Sequence, residues 1–257
     1  KKPVARVALL TGCVQQVISP QINEATIRLL NRHNIEVVIP KGIGCCGSLD
    51  HHLGKNNLAK ETFKKNILIW HEEYLKNGLD AIISNTSGCG TTLKDYGFIF
   101  RWDDDLKKKA KKISELTKDI SEYLDENVKL NFIKNKENTK AYKIAYHSAC
   151  SMQHGQKIHD VPMNLIKKTG NKVFDIPQGH FCCGSAGTYN LLQNDIAEKL
   201  LKNKILNINK INPQFIATGN IGCITQIANG TKIPILHTVE VIDWYTGGPK
   251  PKVLRHL

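Results

Sequence analysis

Eight cysteines are the residues of this 257-residue chain best suited to chemistry, and they fall into two sets of four. The first set is Cys13, Cys45, Cys46 and Cys89; the second is Cys150, Cys182, Cys183 and Cys223. In each set 31 residues separate the first cysteine from an adjacent pair, and the pair opens a Cys-Cys-Gly-Ser run, Cys45-Cys46-Gly47-Ser48 and Cys182-Cys183-Gly184-Ser185. Pro40 and Pro177 each stand five residues before their pair, and each set closes on Gly-Cys, at Gly88-Cys89 and Gly222-Cys223. Such agreement marks an internal duplication. Four converging thiolates can hold an iron–sulfur cluster, bind a structural zinc, form two disulfides or carry out thiol–disulfide exchange. Zinc sites favour cysteines spaced two to four apart, and directly adjacent cysteines chelate one small ion poorly. They suit a larger group whose irons are spread apart. Disulfides need an oxidising compartment, and no convincing secretory signal precedes them.

The elements that must position these thiols alternate between two periodicities. Arg6–Thr11, Ile35–Ile39 and Ala81–Ser84 read as short strands, with helices predicted over Asn23–His33 and Asn56–Lys76. Lys143–His147, Lys172–Ile176 and Phe215–Thr218 repeat the strands in the second half. The expected fold class is therefore α/β: two duplicated β-α-β-α-β units with parallel sheets and every cysteine just past the C-terminal end of a strand. That edge is where such sheets bind ligands. The expected domains are 1–130 and 140–257, joined through the Lys- and Asn-rich stretch Lys129–Tyr142. Asp103, Asp104 and Asp105 are expected to open a helix and pair i,i+4 with Lys107, Lys108 and Lys109.

Around the cysteines, Gly47 and Gly184 are expected to let backbone approach a bound group, and Ser48 and Ser185 to cap the helices that follow. His51, His52, His147 and His154 lie close in sequence to the cysteines. An extra ligand or a proton carrier is conceivable among them, though capping and surface roles are commoner. Gly42, Gly44 and Gly47 match a dinucleotide fingerprint, but the second copy lacks these glycines. Leu10-Thr11-Gly12-Cys13 imitates a lipoprotein signal, yet its counterpart Cys150 sits in mid-chain. No apolar run is long enough for a transmembrane segment. The net charge of +13 comes mostly from dispersed lysines without interleaved aromatics, which argues against a nucleic-acid partner.

Several segments resemble the cysteine-rich CCG domain shared by heterodisulfide reductase, the lactate-utilisation iron–sulfur protein and, most of all, the glycolate oxidase iron–sulfur subunit. They are Gly12-Cys13-Val14-Gln15-Gln16, Gly44-Cys45-Cys46-Gly47 with His51-His52-Leu53-Gly54, Asn85-Thr86-Ser87-Gly88-Cys89-Gly90, the run from Cys182 to Asn190, and Gly219-Asn220-Ile221-Gly222-Cys223. The resemblance runs to about Trp244. It implies one or two iron–sulfur clusters, of the [4Fe-4S] type, held by the eight cysteines. It implies a subunit without catalytic residues of its own. That subunit would pass electrons from a flavoprotein (FAD) partner that oxidises glycolate toward a quinone or other membrane acceptor. It implies a cytoplasmic location, extending to the inner face of the membrane. The ferredoxin-like domain that opens the glycolate subunits has no counterpart here, which points to a fragment or to a shorter relative such as the lactate type. Heterodisulfide reductase ends each motif with Cys-x-x-Cys, whereas Thr92 and Gln226 stand at those last positions, so a disulfide-reducing enzyme is the alternative reading.

Overall fold

The computed structural model describes residues 2–133 and 140–257. The chain divides into two compact units, Lys1–Val128 and Lys129–Leu257. The first runs β1 (Ala5–Leu10), α1 (Gln15–Ile18), α2 (Pro20–Arg32), β2 (Ile35–Val38), α3 (Ser48–His52), α4 (Asn56–Asn77), β3 (Ala81–Ser84), α5 (Ser87–Ile99), α6 (Lys107–Leu116), β4 (Thr117–Asp119) and α7 (Ile120–Asn127). The second runs β5 (Lys143–His147), α8 (Val161–Lys167), β6 (Lys172–Asp175), α9 (Tyr189–Leu192), α10 (Asn194–Ile211), β7 (Phe215–Thr218), α11 (Ile221–Ala228), β8 (Ile235–His237) and α12 (Thr238–Tyr245), with a π-helical turn at Ser151–Gly155. Of the expected connection 129–142, residues 134–139 lie outside the described residues.

Each unit is a four-stranded parallel sheet, ordered β2-β1-β3-β4 in the first and β6-β5-β7-β8 in the second. The inner strands are apolar throughout because helices cover both faces: Val7 to Leu10, Ala81 to Ile83 and Phe215 to Ala217 are all buried. The β-α-β-α-β plan is thus present and extended by a fourth strand. That strand is three residues long in both units, and a capping box follows it each time. Asp119 accepts from the Ser121 N–H while Glu122 reaches back to the Asp119 N–H. His237 accepts from the Val239 N–H while Glu240 reaches back to the His237 N–H. Each box satisfies donors that a helix start leaves unpaired.

Two helices, α2 and α6, differ from expectation at their starts, while α4 begins at Asn56 as expected. α2 begins at Pro20, whose missing N–H costs nothing at a first helical position. Asp103 accepts from the Asp105 and Leu106 N–H groups ahead of α6, and Asp104 pairs with Lys107 at i,i+3 in place of the expected i,i+4 pairs. In the first unit, α4 turns Phe63, Ile67 and Trp70 onto the sheet, where all three are fully buried. That face anchors the helix directly behind the Cys45-Cys46 pair.

Candidate metal centre

The strand order places the three cysteine-bearing loops of each unit side by side. Strand β1 ends in register with β3, Leu10 opposite Ser84, and Cys13 and Cys89 follow those two ends. Strand β5 ends in register with β7, His147 opposite Thr218, and Cys150 and Cys223 follow. The adjacent pair arrives from the neighbouring strand, β2 or β6. Cys89 and Cys223 lie in the first turns of α5 and α11, and Cys223 is held below the usual thiol range, at about 5, first because Cys183 donates to it, with His147 adding to that against burial.

The four thiols of each unit meet as a hydrogen-bonded chain. In the first, Cys13 touches Cys45, Cys45 touches Cys46, and Cys46 touches Cys89. In the second, Cys150 touches Cys182, Cys182 touches Cys183, and Cys183 touches Cys223. All eight are free thiols, with Cys46, Cys183 and Cys223 buried and the other five half-buried.

The proton distribution repeats. Cys45 is held far below the usual thiol range, first because Cys13 and Cys46 donate to it, with the backbone N–H groups of Gly47 and Cys46 adding to that against the opposing effect of burial. Cys182 is held down in the same way by Cys150 and Cys183 and by the Gly184 N–H. The donors Cys13, Cys46, Cys150 and Cys183 are correspondingly pushed up. One member of each pair is therefore ready as a thiolate, the form that binds metal. The N–H groups of Gly47 and Gly184 lie 3.3 Å from Cys45 Sγ and Cys182 Sγ.

Those glycines do more than make room at the thiols. Both adopt positive φ, 78° and 97°. A Cβ on Gly47 would stand 2.5 Å from the Phe63 ring, and one on Gly184 only 2.4 Å from the Ala197 carbonyl oxygen. What they admit is the helix that follows, α4 or α10. The expected serine caps do not form: Gly47 occupies the cap position of α3 without a side-chain bond, and Ser185 lies in a loop ahead of α9. In the first unit the left-handed glycine itself takes the cap position, so Ser48 falls one place too late, and in the second Thr188 takes it, so Ser185 falls three places too early.

Residues that sequence reading passed over support the first set. Asn85, before Cys89, accepts from Gln15, just after Cys13, at 2.6 Å. It donates to Asn23 at 2.9 Å and Thr26 at 3.0 Å on α2. Gln15 also donates to Asn23 and accepts from Thr86. Buried polar groups of this kind are stable only when they satisfy one another. Here they lock two cysteine loops together. Gln15 and Asn85 both lie in the segments that carry the family resemblance, the one signal that could have flagged them. Asn66 of α4 donates to the Cys45 carbonyl at 2.8 Å, and Tyr96 of α5 to the Cys46 carbonyl at 2.8 Å.

The second set has different support. Met152 packs where a Cβ on Gly219 would stand, 2.7 Å from the Met152 methyl. Lys204 of α10 is buried, its Nζ 3.4 Å from the Gly179 carbonyl. Burial pushes the Lys204 ammonium down, while all four thiols of the set oppose that shift. The four histidines separate: His51 packs edge-on to Phe63 beside His52 on α3, His154 lies on the π-helical turn, and His147 is buried beside Cys223. Among the described residues, no helix is long and apolar enough to cross a membrane.

Soft thiolates, converging from three loops and supplied with backbone N–H donors, fit a thiolate-ligated metal group in both units. Comparison with known proteins agrees in placement. The family described as a cysteine-rich domain, CCG, matches residues 7–94 and 144–228, one match in each unit. The glycolate oxidase iron–sulfur subunit of Escherichia coli is 36% identical over 93% of this chain and 57% of its own length. A probable glycolate oxidase iron–sulfur subunit of Bacillus subtilis is 30% identical over 88% of this chain and 50% of its own length. Lactate utilization protein A of a Geobacillus species is 26% identical over 93% of this chain and 99% of its own length. The chain thus spans little more than half of the glycolate relatives and nearly all of the lactate one, and two matched regions, one around each set of four cysteines, make it a member of the cysteine-rich CCG domain family.

Proposed function

We infer that this chain is an iron–sulfur electron-transfer subunit of a flavin-dependent 2-hydroxy-acid dehydrogenase of the glycolate oxidase type, each unit serving as one metal-holding domain. The observation that carries the reading is that two complete four-thiol sets assemble at the carboxyl ends of two separate sheets. Cys13, Cys45, Cys46 and Cys89 would hold one [4Fe-4S] cluster, and Cys150, Cys182, Cys183 and Cys223 a second. When bound, such a group supplies reversible one-electron transfer. The chain's own residues do the rest. Cys45 and Cys182 offer thiolate, the Gly47 and Gly184 N–H groups stabilise sulfur charge, and buried Cys46 and Cys183 keep water from the inner side. Half-buried Cys13, Cys45, Cys150 and Cys182 leave a side open to a partner. That partner is an FAD-bearing flavoprotein that oxidises the hydroxy acid, and the acceptor downstream is a quinone. A cytoplasmic protein, peripheral at the inner membrane, follows from that acceptor.

Iron and acid-labile sulfide, measured on protein purified without oxygen, test the first step. About four of each per occupied unit is expected, so about eight when both are filled. Zinc without sulfide would overturn the reading. In the assembled complex, Cys45→Ser should stop electron delivery to quinone while flavin reduction by substrate continues, and unchanged quinone reduction would refute it. The 26% identity to lactate utilization protein A over 93% of this chain favours lactate as a second candidate hydroxy acid. Flavin reduction in the assembled complex with each acid decides between them.

A further inference from the structure

The duplication places the same thiols in both units but not the same residue behind them. The last residue of the central strand, three positions before the first cysteine, is Leu10 in the first unit and His147 in the second. The two are equivalent in register as well as in sequence, since each pairs with the last residue of the next strand, Ser84 or Thr218. Leu10 is an ordinary core residue. His147 is only 1% exposed, and neither ring nitrogen makes a hydrogen bond of ordinary geometry with any described residue. A buried polar group left in that condition lacks the compensation that burial ordinarily requires.

What the imidazole faces is the second set. One of its ring nitrogens, Cys183 Sγ and Cys223 Sγ all lie within 4.8 Å of one another. An imidazole nitrogen and a sulfur bound to the same metal stand at most about 4.4 Å apart, the sum of the two bonds. Side-chain movements of about an ångström would therefore let His147 share an iron with one of these cysteines while the other holds a different iron of the cluster. The surroundings point the same way. The buried ammonium of Lys204 faces the thiols of this set. The side chains that reach the pair in the first unit, Asn66 and Tyr96, are neutral donors.

We propose that His147 is a nitrogen ligand of the metal centre in the second unit, making it a mixed imidazole–thiolate iron–sulfur centre beside an all-thiolate centre in the first. The proposal rests on the electron-transfer reading given above. The four thiolates of the set stay in place and the imidazole adds a neutral donor to them. The buried ammonium of Lys204, within electrostatic reach of all four thiols, favours the more negative, reduced form of the group they hold.

The test is pulsed EPR on the full chain, purified without oxygen and reduced, with Cys46→Ser silencing the first centre. Growth with 15N-histidine assigns any nitrogen coupling to a histidine. The expected result is the strong coupling of a directly bound imidazole. It changes with the isotope and disappears in His147→Leu, which installs the first unit's own residue. His147→Cys serves as the second variant and should keep the iron while losing the coupling. A filled second centre that shows no histidine coupling, only the weak coupling of a hydrogen bond, or a spectrum indifferent to His147→Leu overturns the proposal while the electron-transfer reading stands. A chain free of iron and sulfide overturns both.

Discussion

Replacing Gly184 by alanine isolates what the glycine of the Cys-Cys-Gly run is for. Its φ of 97° lies in a region where an L side chain costs about 1–2 kcal/mol. The added Cβ would stand 2.4 Å from the Ala197 carbonyl oxygen, 3.2 Å from its carbon and 3.1 Å from Gln226 Nε2. The first two are backbone atoms of α10, so no rotamer change relieves them and the helix itself must move. Overpacking of this kind costs about 1–3 kcal/mol, for a total of about 2–5 kcal/mol. Gly47→Ala should behave alike, because its Cβ meets the Phe63 ring, wedged between Tyr96 and Phe100 at centroid distances of 4.8 and 6.5 Å. The assay is urea unfolding of the wild type and each variant, on metal-loaded protein and again after chelation. Destabilisation of both forms is expected. A chelated Gly184→Ala protein as stable as the wild type, with only its metal content reduced, would refute the reasoning. The glycine would then make room for the bound group and not for the helix.

Two further perturbations probe the frame around the first centre. Asp119 is fully buried, and burial pushes its carboxyl from the ordinary 3.8 up to about 6 despite hydrogen bonds from Ser121. The folded state thus binds the proton more tightly than the unfolded one. The resulting penalty is absent below about pH 4 and grows as pH rises through about 6, to about 3 kcal/mol. Asp119→Asn keeps an acceptor for the Ser121 N–H and should flatten that decline, and an unchanged pH–stability curve would refute the assignment. Asn85→Leu leaves Gln15, Asn23 and Thr26 short of partners inside the core, at a cost of about 2–4 kcal/mol. It should also slow metal uptake by the first unit, and a drop in urea midpoint without loss of iron would confine the network to a structural role.

The parts of the fold that could be read from the chain are those where one physical signal dominates. Ala81–Ser84, Lys143–His147 and Phe215–Thr218 are inner strands covered on both faces, so their apolar runs begin and end with the strand itself. The fourth strands, Thr117–Asp119 and Ile235–His237, are too short to carry a period. Their mark lies one step later, in the matched spacings Asp119-x-x-Glu122 and His237-x-x-Glu240 that cap the next helix. The convergence of each cysteine set followed from its place after parallel strands. The support behind each set did not. Gln15, Asn23 and Asn85 look like surface residues one at a time and are buried only because each satisfies the others. Ser48 and Ser185 look like caps, and fail because the left-handed Gly47 takes the cap position before Ser48 and Thr188 takes it after Ser185.

The two units show which features a duplication holds fixed and which it releases. The turn geometry is fixed: a left-handed glycine, its N–H 3.3 Å from the first sulfur of the pair, and a helix packed where its Cβ would be. These features set the positions of the thiols, and changing any one of them would displace a thiol. The residues in the layer behind are under no such constraint. In the first unit that layer holds Leu10, Asn66 and an amide network centred on Asn85. In the second it holds His147, Lys204 and Met152 packed on Gly219. Together these exchanges place a buried imidazole and a buried ammonium beside one set of thiols and, among the described residues, neither beside the other. The two sets can therefore differ electrostatically while carrying the same four thiols, because charge in a poorly solvated layer is screened less than charge in water.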